Sequence, residues 1–520
     1  MIGLRSIPGS TAHLLLVLAM CAVCIAQDEV GEPPADLVKV REFRERLARS
    51  TVTETRAVLR EMESAPHSKY GPLIFEALLR AMERVEGHEQ RLGELRGELE
   101  ELAAQIEQAE EQKSPSQKNR LTERQQELKV ELADRRARSM VEQTLVTHLK
   151  IAILPLAEAI SRPGREALAR DLVGRLDEHR EVVERSALLS LIGQVDTPRA
   201  ILALMNELRE HRSPPECKVR ALKGLGRMRA EAAVPAVVAA LGDDDWRVRV
   251  EAVEVLRLLH RRSSIPILIE LLQTAQGRLK DDVGAALRSL TAQKLFADHA
   301  TWQRFWSERQ ADFSMPEAPA ALKLDQDPGS GGANFYGIST FSLGVIFVLD
   351  VSGSMNQPAL EGTRASRKID IAISNLKNAV LSLNPQARFN VLLYSSAVET
   401  AFEEPVIASN ENRRAALQFV EARGPGQATN IYDAMTRAFS MARRKGGRQR
   451  PSSVEIDTIF FLSDGQATAG MVQRSDLLLE AICGLNQDLC IQIHCVGVGQ
   501  HDVEFLKALA ARSHGQYVAH

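Results

Sequence analysis

The chain has 520 residues, 44% hydrophobic and 26% charged, a length that suits about three globular domains. With 65 basic against 68 acidic residues the formal charge is −3, which gives no electrostatic reason for nucleic acid or an anionic membrane as the main partner. Aromatics are only 4%, and the abundance of Leu, Ala, Glu and Arg predicts helix over much of the chain.

The first residues read as an export signal. Arg5 precedes an apolar run over residues 14–26, too short to span a bilayer as a mature helix. This predicts a signal peptide over 1–26 and a chain that is periplasmic or extracellular. A retained N-terminal anchor, or lipidation at Cys21, are the alternatives. Cys21 and Cys24 leave with the signal. Cys217, Cys483, Cys490 and Cys495 remain, too few for a disulfide framework. They are read as buried thiols, with one bridge among the last three as the alternative.

Residues 37–150 follow a helical pattern. Leu92, Leu95, Leu99, Leu102, Ile106 and Ala109 step alternately by three and four, which makes an a/d seam. Ser114-Pro115-Ser116 breaks it, and Leu121, Leu128 and Leu132 begin a second stripe. The expectation is an antiparallel coiled-coil hairpin of modest length.

Residues 151–310 repeat. Ala221 and Ala252 lie 31 positions apart, and so do Pro235 and Pro266. Two landmarks with one offset indicate a structural repeat of paired short helices, the second opened by proline. Gly242-Asp243-Asp244-Asp245 supplies a helix stop and caps for the next helix. These units resemble HEAT repeats, about four of them, stacked as an α-solenoid with a concave face for protein contacts. Arg227, Arg229, Arg247 and Arg249 are read as solvated surface arginines. Trp302, Phe305 and Trp306 are expected to cap the stack. Residues 311–334, rich in Ala, Pro and Gly, read as a flexible linker.

From residue 335 the period changes to that of an α/β domain. Residues 343–349 are a continuous apolar run, as in a strand buried on both faces. Asp350-Val351-Ser352-Gly353-Ser354 follows at once, and residues 367–383 read as a helix. Further strands are expected over 388–395, 402–406, 456–462, 491–498 and 516–519. Loops at the carboxyl ends of such strands line the ligand crevice of open α/β sheets. Three of them offer Asp350, Ser352, Ser354, Thr429 and Asp464, all oxygen donors of the kind that hold a hard cation.

Asp350-x-Ser352-x-Ser354 after a buried strand resembles the DxSxS motif of von Willebrand factor A domains. Gln427-Ala428-Thr429-Asn430 resembles the threonine loop of that family, and Phe461-Leu462-Ser463-Asp464-Gly465 its last metal-site loop. The resemblance covers residues 335–520, about a third of the chain. It implies a doubly wound, Rossmann-like fold with a metal-ion-dependent adhesion site, in which Ser352 and Ser354 ligate the ion directly. Thr429 and Asp464 join directly or through water, and Asp350 is the first carboxylate of the set. It implies Mg²⁺, with Mn²⁺ or Ca²⁺ as alternatives, and a protein partner that offers Asp or Glu to the metal. No catalytic residues are assigned. A metal-dependent hydrolase lacks a base in the sequence: His494 falls inside a strand and His501 on a loop, and neither HExxH, P-loop nor GxSxG occurs. A structural scaffold with a silent metal site is the third reading.

Overall fold

Between residues 37 and 317 the described residues form helices and turns. The computed structural model describes residues 37–49, 51–317, 333–358, 366–424, 426–443, 455–470 and 472–520. The expected signal peptide and most of the expected linker lie outside these. No helix among the described residues is long and apolar enough to cross a membrane. The chain divides into two compact units, residues 1–236 and 237–520.

In the first unit two long helices, Tyr70–Glu111 and Pro115–Ile151, are joined by a short turn. Cross-helix bonds run antiparallel. Arg84 pairs with Glu142 at 3.0 Å and Arg91 with Glu131 at 3.1 Å, and Ser139 Oγ donates to Glu89 Oε1 at 2.7 Å. The predicted seam faces inward, with Leu92, Leu95, Ala109 and Leu128 buried and the Glu and Arg positions largely exposed. Helices Val182–Ile192, Pro198–Arg209 and Pro215–Arg227 follow. Thr197 accepts a bond from Ala200 N at 3.2 Å ahead of Pro198, a cap that fixes where the second of these helices starts. Ala221, Leu222 and Leu225 are fully buried.

The outer helices of that trio touch backbone to backbone. A Cβ on Gly224 would stand 2.8 Å from the Cα of Gly193, and the reverse distance would be 2.9 Å. Any side chain here must force the helices apart. Gly224→Ala is therefore expected to destabilise the first unit by about 1–3 kcal/mol despite the better helix propensity of alanine. A rise in the melting temperature of that variant would contradict the close approach.

The second unit begins with the remaining repeats. Helix Trp246–Leu259 starts on Asp245, whose side chain accepts from Arg247 N at 2.9 Å, and it buries Ala252, Val253 and Leu256. Helix Ser264–Leu271 buries Ile265, Leu268 and Ile269; of the repeat landmarks Ala221 and Ala252 are buried, while Pro235 and Pro266 are exposed. Helix Arg278–Thr291 and helix His299–Arg309 complete the set. Trp302 is buried, with its ring edge-on to Phe305 at 5.8 Å.

A short hairpin, β1 (Ala333–Phe335) with β2 (Ile338–Thr340), then leads into the main sheet. Its first strand starts inside the segment expected to be linker. The sheet strands are β3 (Gly344–Asp350), β4 (Arg388–Tyr394), β5 (Val398–Thr400), β6 (Val406–Ile407), β7 (Thr458–Ser463), β8 (Gln492–Gly497) and β9 (Tyr517–Ala519). Their order is β5-β4-β3-β7-β8-β9, with β6 also on β4. Pairs among β4, β3, β7, β8 and β9 are parallel; β5 and β6 are antiparallel. β3, β7 and β8 are buried at every position, the setting in which a strand such as β3 reads as an apolar run, although β8 also buries Gln492 and His494. The expected strand over 402–406 is displaced: two short strands flank it, and Phe402 N donates to the side chain of Asn390 at 3.2 Å.

The last repeat helices grip this domain at the amino ends of its strands. Arg278 donates to the carbonyls of Asp457 at 3.0 Å and of Cys490, pairs with Asp282 at 3.1 Å, and lies over the Trp246 ring at 5.3 Å. Asp281 accepts from Thr340 Oγ1 at 2.9 Å and Phe341 N at 2.7 Å. Arg247 reaches the carbonyl of Asp488 at 3.0 Å. One expectation is thereby corrected: Arg247, only 2% exposed, is a buried joint residue. The α/β domain is bonded to the last repeat helices as well as following them in sequence. Arg227 and Arg249 likewise serve backbone carbonyls, those of Gly193 and Asp243. A guanidinium with an apolar stem can satisfy several carbonyls at once, which its charge alone does not foretell.

Burial at this joint pushes the Asp281 carboxyl up to about 7 and Asp282 up to about 6, against hydrogen bonds and Arg278 that pull the other way. Asp457 is raised for the same reason, while burial lowers His494 to about 3. A carboxyl with a raised folded pKa holds its proton longer when folded, so its contribution to stability is present at low pH and lost as pH rises through that window. His494 has the opposite sign. Comparison with Asp281→Asn isolates one group: the variant's stability relative to wild type is expected to grow between about pH 4 and pH 7. Parallel thermal melts of both proteins would check this, and a constant difference would refute it.

Candidate metal centre

β3 and β4 run in register, with Leu349 opposite Leu393 and Asp350 opposite Tyr394, while β7 pairs on the other side of β3. The chain leaves β3 in one direction to make β4 and returns on the opposite side as β7. This is the switch point where an open sheet forms a crevice at its carboxyl edge. Asp350 closes β3, Ser463 closes β7, and Asp464 follows it.

The structure brings four of the five predicted residues together by hydrogen bonds. Asp350 Oδ1 accepts from Ser352 N at 2.8 Å. The Ser352 and Ser354 hydroxyls lie 3.0 Å apart. Ser354 Oγ donates to Asp464 Oδ1 at 2.8 Å, which ties the first loop to the third. Thr429 is buried on the loop between them. That loop is laced to its neighbours: Gly426 N donates to Val351 O at 2.6 Å, and Asn430 N to Ser395 O at 2.9 Å. Thr429 N donates to Thr468 Oγ1 at 2.9 Å, and its carbonyl accepts from Thr468 N and Ala469 N.

Electrostatically the two carboxylates differ. Asp350 is fully buried, and the donors on it are neutral: Ser352 N, Tyr394 OH at 3.3 Å and Ser463 Oγ at 3.2 Å. Burial pushes its carboxyl up to about 6, with Ser352 opposing. Burial also drives the Tyr394 hydroxyl well above its ordinary value, and the Asp350 charge adds to this. Asp464 has a cation of its own, Lys368 Nζ at 3.0 Å from Oδ2.

This donor set fits a hard divalent ion. Its side-chain atoms are carboxylate and hydroxyl oxygens, and the deepest of them lacks a compensating charge, which a buried carboxylate needs. Reading the sequence missed Lys368, Tyr394, Ser463 and Thr468. Ser463 sits next to a predicted ligand, but Tyr394 and Lys368 belong to a strand and a helix whose pattern gives no sign of what their tips reach. His494 is placed as expected, within β8 and stacked on Phe460 at 5.0 Å. His501 bonds Gly499 O and the Tyr517 hydroxyl. Among the cysteines, Cys217 and Cys495 are buried as expected, while Cys483 and Cys490 are half-buried.

Residues 343–519 match the family model of the von Willebrand factor type A domain, and residues 201–288 match that of HEAT repeats. Among curated proteins, inter-alpha-trypsin inhibitor heavy chain H1 of Sus scrofa is 28% identical over 177 residues, which is 33% of this chain and 18% of that protein. Heavy chain H4 of Homo sapiens is 28% identical over 184 residues, 34% of this chain and 18% of that protein. The match thus spans under a fifth of either relative. Among solved structures, a von Willebrand factor type A protein from Catenulispora acidiphila aligns over 35% of this chain and 39% of its own, at TM-score 0.28 and 20% identity. Proximal thread matrix protein 1 from the mussel byssus, solved with a zinc occupied MIDAS motif, covers 36% of this chain and 44% of its own, at TM-score 0.26 and 14% identity. The chain therefore carries a von Willebrand factor type A domain, preceded by HEAT repeats.

Proposed function

We propose that the chain is an exported, divalent-metal-dependent protein-binding scaffold, in which Mg²⁺ at the sheet edge accepts an acidic group from a partner. Asp350, Ser352, Ser354, Thr429 and Asp464 would hold the ion. The observation that supports this is the chain of contacts from Asp350 through Ser352 and Ser354 to Asp464, which gathers hard oxygens from two loops around a buried, uncompensated carboxylate. Mg²⁺ takes six oxygens and keeps water where the protein leaves gaps, so it supplies an exchangeable position for a partner's carboxylate. Binding is favoured over hydrolysis because the titratable side chains bonded to these residues are Lys368 and Tyr394. Lys368 is engaged by Asp464 and burial holds the Tyr394 proton, so neither is set up as a base. The repeats would add contact surface away from the metal. Export rests on the leader pattern of the first 26 residues.

The test is partner capture by the purified full chain in Mg²⁺ against EDTA, with Asp350→Ala as control. Partners held only in Mg²⁺, and lost with Asp350→Ala, support the reading. Partners recovered equally in all three conditions would reject it.

A further inference from the structure

Lys368 is 6% exposed, although it opens a helix at the crevice and carries a charge. Lysines are seldom so buried unless paired. Its Nζ lies 3.0 Å from Asp464 Oδ2, while Asp464 Oδ1 takes the Ser354 hydroxyl. The slot that receives the stem depends on Gly499. That residue has φ +63, and a Cβ there would stand 2.7 Å from Lys368 Cε and 2.9 Å from Nζ. The loop after β8 is thus shaped to admit the ammonium.

The charges determine what this does. Asp350, Asp464 and Lys368 together carry one net negative charge. A divalent ion turns this into one net positive charge. Without the lysine, two carboxylates would neutralise the ion completely, and an incoming acid would meet no net attraction. With it, the loaded centre has room for one more anion. Resting on the metal-dependent reading above, we propose that Lys368 is a built-in competing cation that weakens metal binding and keeps the loaded centre selective for a carboxylate ligand. It is a positioning residue: it would act through Asp464 and through its field, and need not touch the partner.

The experiment uses the full chain, Mn²⁺ as the metal and acetate as the acidic probe. Lys368→Gln removes the charge and keeps a donor for Asp464. Mn²⁺ affinity by calorimetry is expected to rise at least about tenfold, since a unit charge a few ångströms from a divalent ion in a partly buried site repels it strongly. At fixed ionic strength, replacing chloride by acetate should strengthen Mn²⁺ binding in wild type and do so markedly less in Lys368→Gln. Gly499→Ala, which pushes the lysine away from Asp464, is an independent second variant and should also tighten Mn²⁺ binding. Lys368→Arg, which keeps the charge, should stay near wild type. Equal or weaker Mn²⁺ binding in both Lys368→Gln and Gly499→Ala overturns the proposal, and so does an undiminished acetate effect in Lys368→Gln. Absence of Mn²⁺ binding by wild type is a different failure: it would remove the metal-dependent reading itself.

Discussion

Asp350→Ala is expected to abolish Mg²⁺ or Mn²⁺ binding. Loss of a group that merely orients a metal ligand costs about 10–100-fold in affinity, and Asp350 is proposed as a ligand itself. It ends β3 at the switch point, is wholly buried and has no cationic partner among its hydrogen-bond donors. Stability should reveal the same charge from the other side. In wild type a saturating ion stabilises the fold by about 2.7 kcal/mol at one hundred times its Kd. That gain should vanish in the variant. The isosteric Asp350→Asn is informative in EDTA, where it should unfold no earlier than wild type, because it removes a buried charge whose partners are neutral. Calorimetry and melting curves with and without Mg²⁺ check both points, and unchanged metal affinity in Asp350→Ala would disprove the ligand assignment.

The second large effect is expected far from the metal. Arg278→Met should cost about 3–5 kcal/mol, the usual penalty for removing one partner of a buried pair. Arg278 is 2% exposed, and its loss would leave Asp282 without its cation and take one donor from each of the carbonyls of Asp457 and Cys490. The damage has a recognisable signature. Arg278→Lys keeps the charge but cannot fork between carbonyls and carboxylate, so it should lose less than methionine but still measurably. Adding Asp282→Asn to Arg278→Met should recover part of the loss, since the orphaned charge is then removed. Denaturant unfolding of the full chain would measure all three. Additive losses in the double variant would mean that the pair is not energetically coupled.

The two sites lie at opposite ends of the same sheet. Arg278 and Asp281 bind the residues that precede β3, β7 and β8, and the metal-site residues follow β3 and β7. Docking the repeats at the amino edge leaves the carboxyl edge to the three loops. The Asp350 and Arg278 variants should therefore affect metal binding and stability independently.

Much of this was legible in the sequence. The continuous apolar run over residues 343–349 forecast β3, because a strand covered on both faces needs no polar alternation, and β7 and β8 overlap the strands expected over 456–462 and 491–498. The spacing of Leu92, Leu95 and Ala109 forecast the inner face of the long hairpin, and the 31-residue offset forecast the paired short helices of the repeats. Asp350, Ser352, Ser354 and Asp464 could be picked out because each sits directly at or after the end of a recognisable strand. Local pattern suffices in these cases because each depends on periodicity or on adjacency to an element.

What escaped the sequence depends on contacts between residues far apart in the chain. Lys368 meets Asp464, Tyr394 meets Asp350, and Arg278 meets the carbonyls of Asp457 and Cys490. A lysine, a tyrosine or an arginine has the same letter whether its tip lies in water or closes a buried charge. Only the packing of helices against the sheet decides which, because desolvation and pairing are properties of the assembled neighbourhood. By itself the sequence determined the elements and the oxygen-rich loops. The tertiary structure decided that the repeats are bonded to the sheet through buried arginines, and that one carboxylate of the candidate centre has a cation while the other has none.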